Sequence, residues 1–446
     1  MRKISKELTY FVKRIVSILF FRQTMLSYNA YRLLKDSYLT KAKSDVMVKQ
    51  MLSEIFDKAK KQSLFYKSYS SFSELPIVDK KIIAKQSTDF INRKSPFYNT
   101  FKFNTGGSTG EPFVFFVNRQ IGYMDSYHQL FHHELMGYKS GDRIFAIDGV
   151  KIPDNLIRKN QHWILNDYRE TPYGSYNYSG LALIPSTIEA ILTDFEKKQP
   201  AILRGYPSAI TEIAKYILKH NRKCNLNLKG IVLTAENIYP EQRILIKQAF
   251  STVIYGQYGH SEKCIYAYTE ADSEQYFCSP FYGYVEVLHV DKDKHVEKGE
   301  IGRVVVTSYY NDAMFFLRYD TGDLAEYGGV DKRGFVILNK ILGRQQDFIY
   351  DKKKQRINIT ALIFGQHFKA FAHIQKWQII QEEIGQIKIL LIPSNQYTKA
   401  DTTEIIEKIT KIGFEVEITL VEQIALSPRG KYRLVDMRIK DLKQNG

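Results

Sequence analysis

Five short clusters in this 446-residue chain have the residue types and spacing that handle phosphate, ribose and carboxylate groups. The first is Thr105-Gly106-Gly107-Ser108-Thr109-Gly110-Glu111-Pro112, followed by Phe113, Val114, Phe115 and Phe116. Its three glycines let the backbone approach a polyphosphate closely, and the Thr and Ser hydroxyls add donors to the N–H groups around the anion. Taken alone, the same residues also suit a tight loop without a ligand. Two common phosphate signatures are absent. Glu111 stands where a Walker loop needs Lys, and Gly430-Lys431 has Ala425 in place of that loop's first Gly. No Gly-x-Gly-x-x-Gly follows a strand either.

The second cluster is Tyr258-Gly259-His260-Ser261-Glu262, after a strand ending at Tyr255. A carboxylate there can hold Mg²⁺ against phosphate oxygens, and an aromatic ring can stack on a base. The plain alternative is a strand-to-helix turn with Ser261 or Glu262 near the helix start. The third, Arg318-Tyr319-Asp320-Thr321-Gly322-Asp323, offers a fixed carboxylate for both hydroxyls of a ribose, or else an acidic turn between strands. Gly343-Arg344-Gln345-Gln346-Asp347 and Ser427-Pro428-Arg429-Gly430-Lys431 are each weak alone, because Gly-Arg pairs and single loop lysines are usually turns and solvated charges. Chance does not account for all five in this order.

The elements that must position these clusters alternate. Arg143–Ile147, Ala201–Leu203, Gly230–Leu233 and Thr252–Tyr255 read as buried strands, and Ser186–Lys198, Ser208–His220 and Pro240–Phe250 as the helices between them. This is the pattern of an α/β fold. Tyr282–His289 and Ile301–Ser308 read as antiparallel strands, with a turn at Lys298, Gly299 and Glu300. After Gly343 a small α+β unit follows, with strands over Lys376–Gln381, Ile387–Ile392 and Glu415–Val421 and a helix over Thr402–Ile412. The expected partition is a basic amphipathic N-terminal segment over 1–40, a large domain with parallel and mixed sheets over 41–342, a hinge at 343–347 and a small mobile domain over 348–446.

Composition fits a folded globular chain: 44% apolar and 25% charged residues argue against wholesale disorder and a multispanning membrane protein. The net charge of +16 suits anionic partners such as nucleotide phosphates, nucleic acid or an anionic membrane. Cys224, Cys264 and Cys278 are too few for a disulfide framework, so a reducing, cytoplasmic compartment is expected. Residues 1–21 mix Lys3, Lys6, Lys13 and Arg14 with apolar residues too interrupted to span a bilayer. They read as an amphipathic helix packed on the protein body, with peripheral contact to the inner membrane face as the alternative. His128 and His132 are four apart, and His133-Glu134 begins like a zinc-protease helix, but Gly137 replaces the second His and no third ligand is evident.

In order and spacing the five clusters resemble the adenylate-forming (acyl-adenylate synthetase) superfamily, and within it the phenylacetate–coenzyme A ligase branch and its CapK-type capsular-polysaccharide relatives. The resemblance runs from about Phe72 to Val435 and includes Gly205-Tyr206-Pro207-Ser208 and Thr234-Ala235-Glu236. It implies an enzyme that uses ATP and Mg²⁺ to convert a small-molecule carboxylate to an acyl-AMP. The acyl group then passes to a thiol, such as CoA, or to an amine. By resemblance, Thr105, Gly106, Gly107, Ser108, Thr109 and Gly110 hold the β- and γ-phosphates; Ala235, Glu236 and Tyr258 frame the adenine; Glu262 binds Mg²⁺; and Asp323 and Arg344 hold the ribose. Lys431 becomes the adenylation lysine, while Tyr206, Gly259 and His260 line the acyl pocket. A charge aimed at both the carboxylate and the α-phosphate is worth most in the transition state.

Two departures from the family pattern stand out. Gln346 precedes Asp347 where the family has an acidic hinge residue, and Asp351–Asn358 keeps Asn358 but lacks the Gly that faces the thiol tunnel. The second departure weighs toward an amine acceptor. A different class of reading, a degenerate nucleotide-binding scaffold of a membrane-associated polysaccharide assembly, is opposed by the joint presence of Glu262, Asp323, Arg344 and Lys431. Nucleic-acid binding finds no motif, and the 27 Phe, 31 Tyr and 2 Trp are simpler to read as core and pocket.

Overall fold

Three helices of the larger unit open on proline: α4 (Pro185–Lys198), α5 (Pro207–Lys219) and α6 (Pro240–Phe250). Proline suits the first helical turn because its missing N–H would have no intrahelical acceptor there. Before them come α1 (Phe21–Leu34), α2 (Lys41–Gln62) and α3 (Arg119–Leu135), the last capped by Asn118, which accepts from Ile121 N at 3.0 Å. The computed structural model describes residues 21–96, 99–104, 113–165, 173–181, 183–344, 348–358, 370–425 and 434–439.

The strands of this unit are β1 (Thr100–Asn104), β2 (Val114–Asn118), β3 (Ile144–Asp148), β4 (Trp163–Leu165), β5 (Tyr176–Ser179), β6 (Ile202–Gly205) and β7 (Gly230–Thr234). They continue with β8 (Ile254–Gly259), β9 (Tyr266–Thr269), β10 (Tyr276–Cys278), β11 (Gly283–Leu288), β12 (Ile301–Ser308), β13 (Tyr319–Val330) and β14 (Val336–Arg344). β1 and β2 form an antiparallel pair, and the other twelve join one mixed sheet in the order β11-β12-β13-β14-β10-β9-β8-β7-β6-β3-β5-β4. Its centre is parallel, from β5 through β3, β6 and β7 to β8. Central parallel strands are covered on both faces, which is why they read as unbroken apolar runs. Phe145, Ile147, Leu203, Ile231 and Leu233 enter a core with α4 and α5. A second core joins the antiparallel strands to α2 and α3 through residues such as Phe56, Met124, Tyr266, Phe316 and Phe335.

The smaller unit holds the hairpin β15 (Phe348–Tyr350) and β16 (Arg356–Asn358), then β17 (Ile374–Gln381), β18 (Gln386–Pro393), α7 (Lys399–Lys411), β19 (Glu415–Leu420) and β20 (Val435–Met437). Its four-stranded sheet has the order β19-β18-β17-β20. Ile405 and Ile409 of α7 pack on Ile387, Ile389 and Leu391. Thr398 caps α7 by a reciprocal exchange with Asp401, whose Oδ2 accepts from Thr398 N at 2.7 Å. By compactness the chain divides into a unit running to Thr321 and resuming over Ala325–Ile341, and a unit made of Gly322–Leu324 and Leu342 onward.

The expected α/β architecture and small C-terminal α+β unit are present. Two local expectations change. β8 continues four residues past Tyr255, because β7 pairs with it as far as Gln257 and β9 takes over from Gln257 to Gly259. Glu262 therefore sits in a link between antiparallel strands rather than at a helix start. Tyr319 to Asp323 open the twelve-residue β13 and are not a turn between strands.

Candidate active site

The carboxyl ends of β6, β7 and β8 stand side by side, with Gly205 opposite Leu233 and Leu233 opposite Gly256. Three sequence clusters thus emerge at one edge, the edge at which open α/β sheets bind ligands. Gly205-Tyr206-Pro207-Ser208 turns from β6 into α5, Thr234-Ala235-Glu236 leaves β7, and Tyr258-Gly259 ends β8. Gly205 is required by packing, since a Cβ there would lie 2.2 Å from the Ile147 carbonyl oxygen.

The first two clusters are joined by Glu236. Its Oε2 accepts from Ser208 N and its Oε1 from Ser208 Oγ, each at 3.0 Å. A carboxylate at the first turn of α5 meets an N–H that has no partner inside the helix and faces the positive end of the helix dipole. Glu236 therefore ties the first two clusters together, and with Ala235 and Tyr258 it carries the expectation for the adenine. Ala235 has φ +69°, Lys263 +58° and Arg318 +49°, a left-handed backbone that side chains disfavour, and each lies in or beside one of the clusters. Such strain persists where surrounding structure enforces it, and it gathers at functional sites.

Glu262 is the focus of the second cluster. Tyr319 donates its hydroxyl to Glu262 Oε1 at 3.0 Å, and His260 Nδ1 lies 3.1 Å from Oε2. The residue is 6% exposed. Burial opposes its ionisation, but His260 and the Tyr319 hydroxyl outweigh burial and hold the carboxyl at about 2. The His260 and Tyr319 rings meet edge to face at 6.0 Å. Gly259 is exposed, with its backbone opposite Tyr266. Tyr206 half-buries its ring against the core of α4 and α5 and donates its N–H to the Ile147 carbonyl at 3.1 Å. Among the described residues no group of three His, Cys, Asp or Glu could build a metal cage. One ionised carboxylate is nevertheless enough for Mg²⁺ when phosphate oxygens and waters complete the octahedron, so Glu262 fits that ion.

Behind Glu262 is a network that the sequence reading missed. Asp125 of α3 is 3% exposed. It accepts from Lys263 Nζ at 2.6 Å, from Tyr282 OH at 3.0 Å and from Tyr173 OH. Burial works against this carboxylate too, and the Lys263 ammonium with the two hydroxyls keeps it below the usual range. The available signal was a carboxylate on the inward stripe of α3, beside Ile121, Met124 and His128. His128 is held by the Met124 carbonyl and Ser279 Oγ, both at 2.8 Å, and burial pushes it down to about 4. Burial pushes His132 down to about 3. These are neutral core histidines.

Asp323 lies on β13 in the stretch grouped with the smaller unit, and Arg344 closes β14. Thr105, Gly106, Gly107, Ser108, Thr109, Gly110, Gln345, Gln346, Asp347 and Lys431 lie outside the described residues, as does the segment 1–20.

Residues 349–437 match the family model of the CapK C-terminal domain. The chain is 26% identical to Protein CapK of Staphylococcus aureus over 423 residues, 88% of each protein. Its structure is similar to 2-hydroxyisobutyryl-CoA ligase in the postadenylation state in complex with 2-HIB-AMP, with TM-score 0.67 and 17% identity over 90% of this chain and 91% of that one. It is also similar to the AtGH3.15 acyl acid amido synthetase in complex with 2,4-DB, with TM-score 0.61 and 12% identity over 89% of each. The chain thus shares its fold with these two enzymes, and its residues 349–437 match the CapK C-terminal domain.

Proposed function

We propose, from the premise that this chain has the adenylate-forming fold and carries a CapK C-terminal domain, that it is an ATP-dependent acid ligase. It converts a carboxylic acid to an acyl-AMP and transfers the acyl group to a thiol or an amine. The observation that carries this reading is Glu262, held ionised in a buried position at the strand edge where the three clusters meet.

In the first step a carboxylate oxygen forms a bond to the α-phosphorus, the bond to the bridging oxygen breaks, and pyrophosphate leaves. Glu262 would hold Mg²⁺, which when bound would supply positive charge to the phosphate oxygens. Tyr319 and His260 fix the Glu262 carboxylate, so no reorientation is needed as charge develops. Thr105 to Gly110 hold the β- and γ-phosphates, Ala235, Glu236 and Tyr258 frame the base, and Asp323 and Arg344 hold the ribose. Lys431 places its charge against the carboxylate and the α-phosphate. In the second step the thiol or amine attacks the acyl carbon, loses its proton, and AMP leaves with the oxygen that came from the acid.

The fold includes both a CoA ligase and an amido synthetase among solved structures, so it accommodates either acceptor. On the family resemblance we place this activity in surface or capsular polysaccharide biosynthesis, in the cytoplasm or at the inner membrane face. Among the described residues no helix is long and apolar enough to cross a membrane. The test is pyrophosphate release from ATP over a panel of acids. Release that depends on one acid and falls about 100-fold or more in Glu262→Gln and Lys431→Ala supports adenylation. Release that is indifferent to both substitutions counts against it.

A further inference from the structure

Side chains of the parallel strands alternate between two faces, and only one face turns polar toward the edge where the clusters meet. One face, with Phe145, Ile147, Leu203 and Leu233, is apolar throughout and covered by α4 and α5. The face toward α3 begins apolar, with Ile144, Ile202, Val232 and Tyr255 packed on Met136. Toward the carboxyl ends the same face turns polar over two steps: Arg204 on β6 stands level with Ala146 and Val232, and Asp148 ending β3, Thr234 on β7 and Gln257 on β8 stand one step beyond. The register pairs Arg204 with Ala146 and Ala146 with Asn177, so Asn177 joins the row from β5. Arg204, Thr234 and Gln257 each directly precede a residue of the clusters described above.

These groups are only partly satisfied. Arg204 donates to Gln257 Oε1 at 3.0 Å and to the Tyr173 carbonyl at 3.4 Å, while its Nε is sealed from solvent without a partner. Asn177 Oδ1 is likewise buried without a donor. Asp148 accepts from Val150 N at 2.9 Å, and burial raises its pKa. All four residues, Asp148, Asn177, Arg204 and Gln257, remain partly exposed, whereas Ile202, one step below Arg204, and Val232, level with it, are 0% exposed. Buried polar atoms without partners are costly, and in a native fold they call for an explanation. An alkyl or aryl group laid on this row would desolvate a guanidinium and a carboxyl and return no hydrogen bond. A hydroxyl both donates and accepts, so it can meet Asn177 Oδ1 and Asp148 as well as Arg204.

We propose that this row is the floor of the acyl pocket and that it selects a hydroxylated, hydrophilic carboxylic acid over alkyl and aryl acids. The proposal rests on the adenylation reading above. Arg204 and Asn177 determine specificity, and the phosphate and base contacts lie elsewhere.

The test is calorimetric binding to the full chain of AMP and of sulfamoyladenosine analogues carrying glyceroyl, gluconoyl, propanoyl, hexanoyl or benzoyl groups. The expected result is a hydroxylated analogue bound about tenfold or more tighter than its deoxy counterpart, the sign of a site built to hydrogen-bond a hydroxyl. Arg204→Met narrows that preference to about twofold and leaves AMP affinity unchanged, whereas Arg204→Lys keeps part of it. Should Arg204→Met fail to fold, the wild-type ranking still decides. Normal AMP binding with equal or tighter binding of the hexanoyl or benzoyl analogue overturns the proposal alone. Failure of AMP and every analogue to bind overturns the adenylation reading, and this proposal with it.

Discussion

Glu262 keeps its charge inside the protein because His260 and Tyr319 together outweigh the cost of burial. An unfolded glutamate titrates at about 4.3, whereas this one titrates at about 2 in the folded chain. The folded state therefore binds this proton more weakly. Its contribution to stability is complete above the unfolded value and is lost as pH falls through about 2. Urea unfolding between about pH 6 and pH 2 is expected to show wild-type stability falling more steeply than that of Glu262→Gln. Parallel curves would mean that the carboxyl is not held ionised. At this scale the sequence indicated Glu262 and its cluster, but not Tyr319 as its partner, because 57 residues separate them and no local spacing records that contact.

At the scale of elements, α5 is tied to β7 through Glu236 and Ser208. Glu236→Ala removes the acceptor for the first turn of α5 and is expected to cost about 1 kcal/mol, the usual worth of a lost helix cap. Chemical denaturation reads the loss. An unchanged midpoint would show that the cap carries no stability. The helices and the parallel strands were legible because buried strands are unbroken apolar runs and α4, α5 and α6 begin at proline. The end of β8 was not, since Gly256, Gln257, Tyr258 and Gly259 lack strand composition and are held by neighbours on both sides. Asp125 escaped for a related reason. Its partners Lys263, Tyr173 and Tyr282 come from three separate segments.

At the scale of the whole molecule, the chain divides near Ile341, just before the segment that the family resemblance assigns to a hinge. If acyl transfer needs rotation there, Gln346→Pro restricts the backbone at that point. This variant is expected to release pyrophosphate at close to the wild-type rate while forming product at least tenfold more slowly, with acyl-AMP accumulating. Equal loss of both steps would argue against a hinge at this position. The net charge of +16 belongs to this scale too and is consistent with a nucleotide substrate, although charge alone never distinguished that from other anions.

The central claim is that the acid attacks the α-phosphate. Acid labelled with ¹⁸O in its carboxylate, incubated with ATP, Mg²⁺ and a thiol or amine acceptor, reads this directly by mass spectrometry of the nucleotide product. The account predicts AMP carrying one ¹⁸O from the acid, together with unlabelled pyrophosphate. ADP with ¹⁸O in free phosphate, or AMP without label, would contradict it.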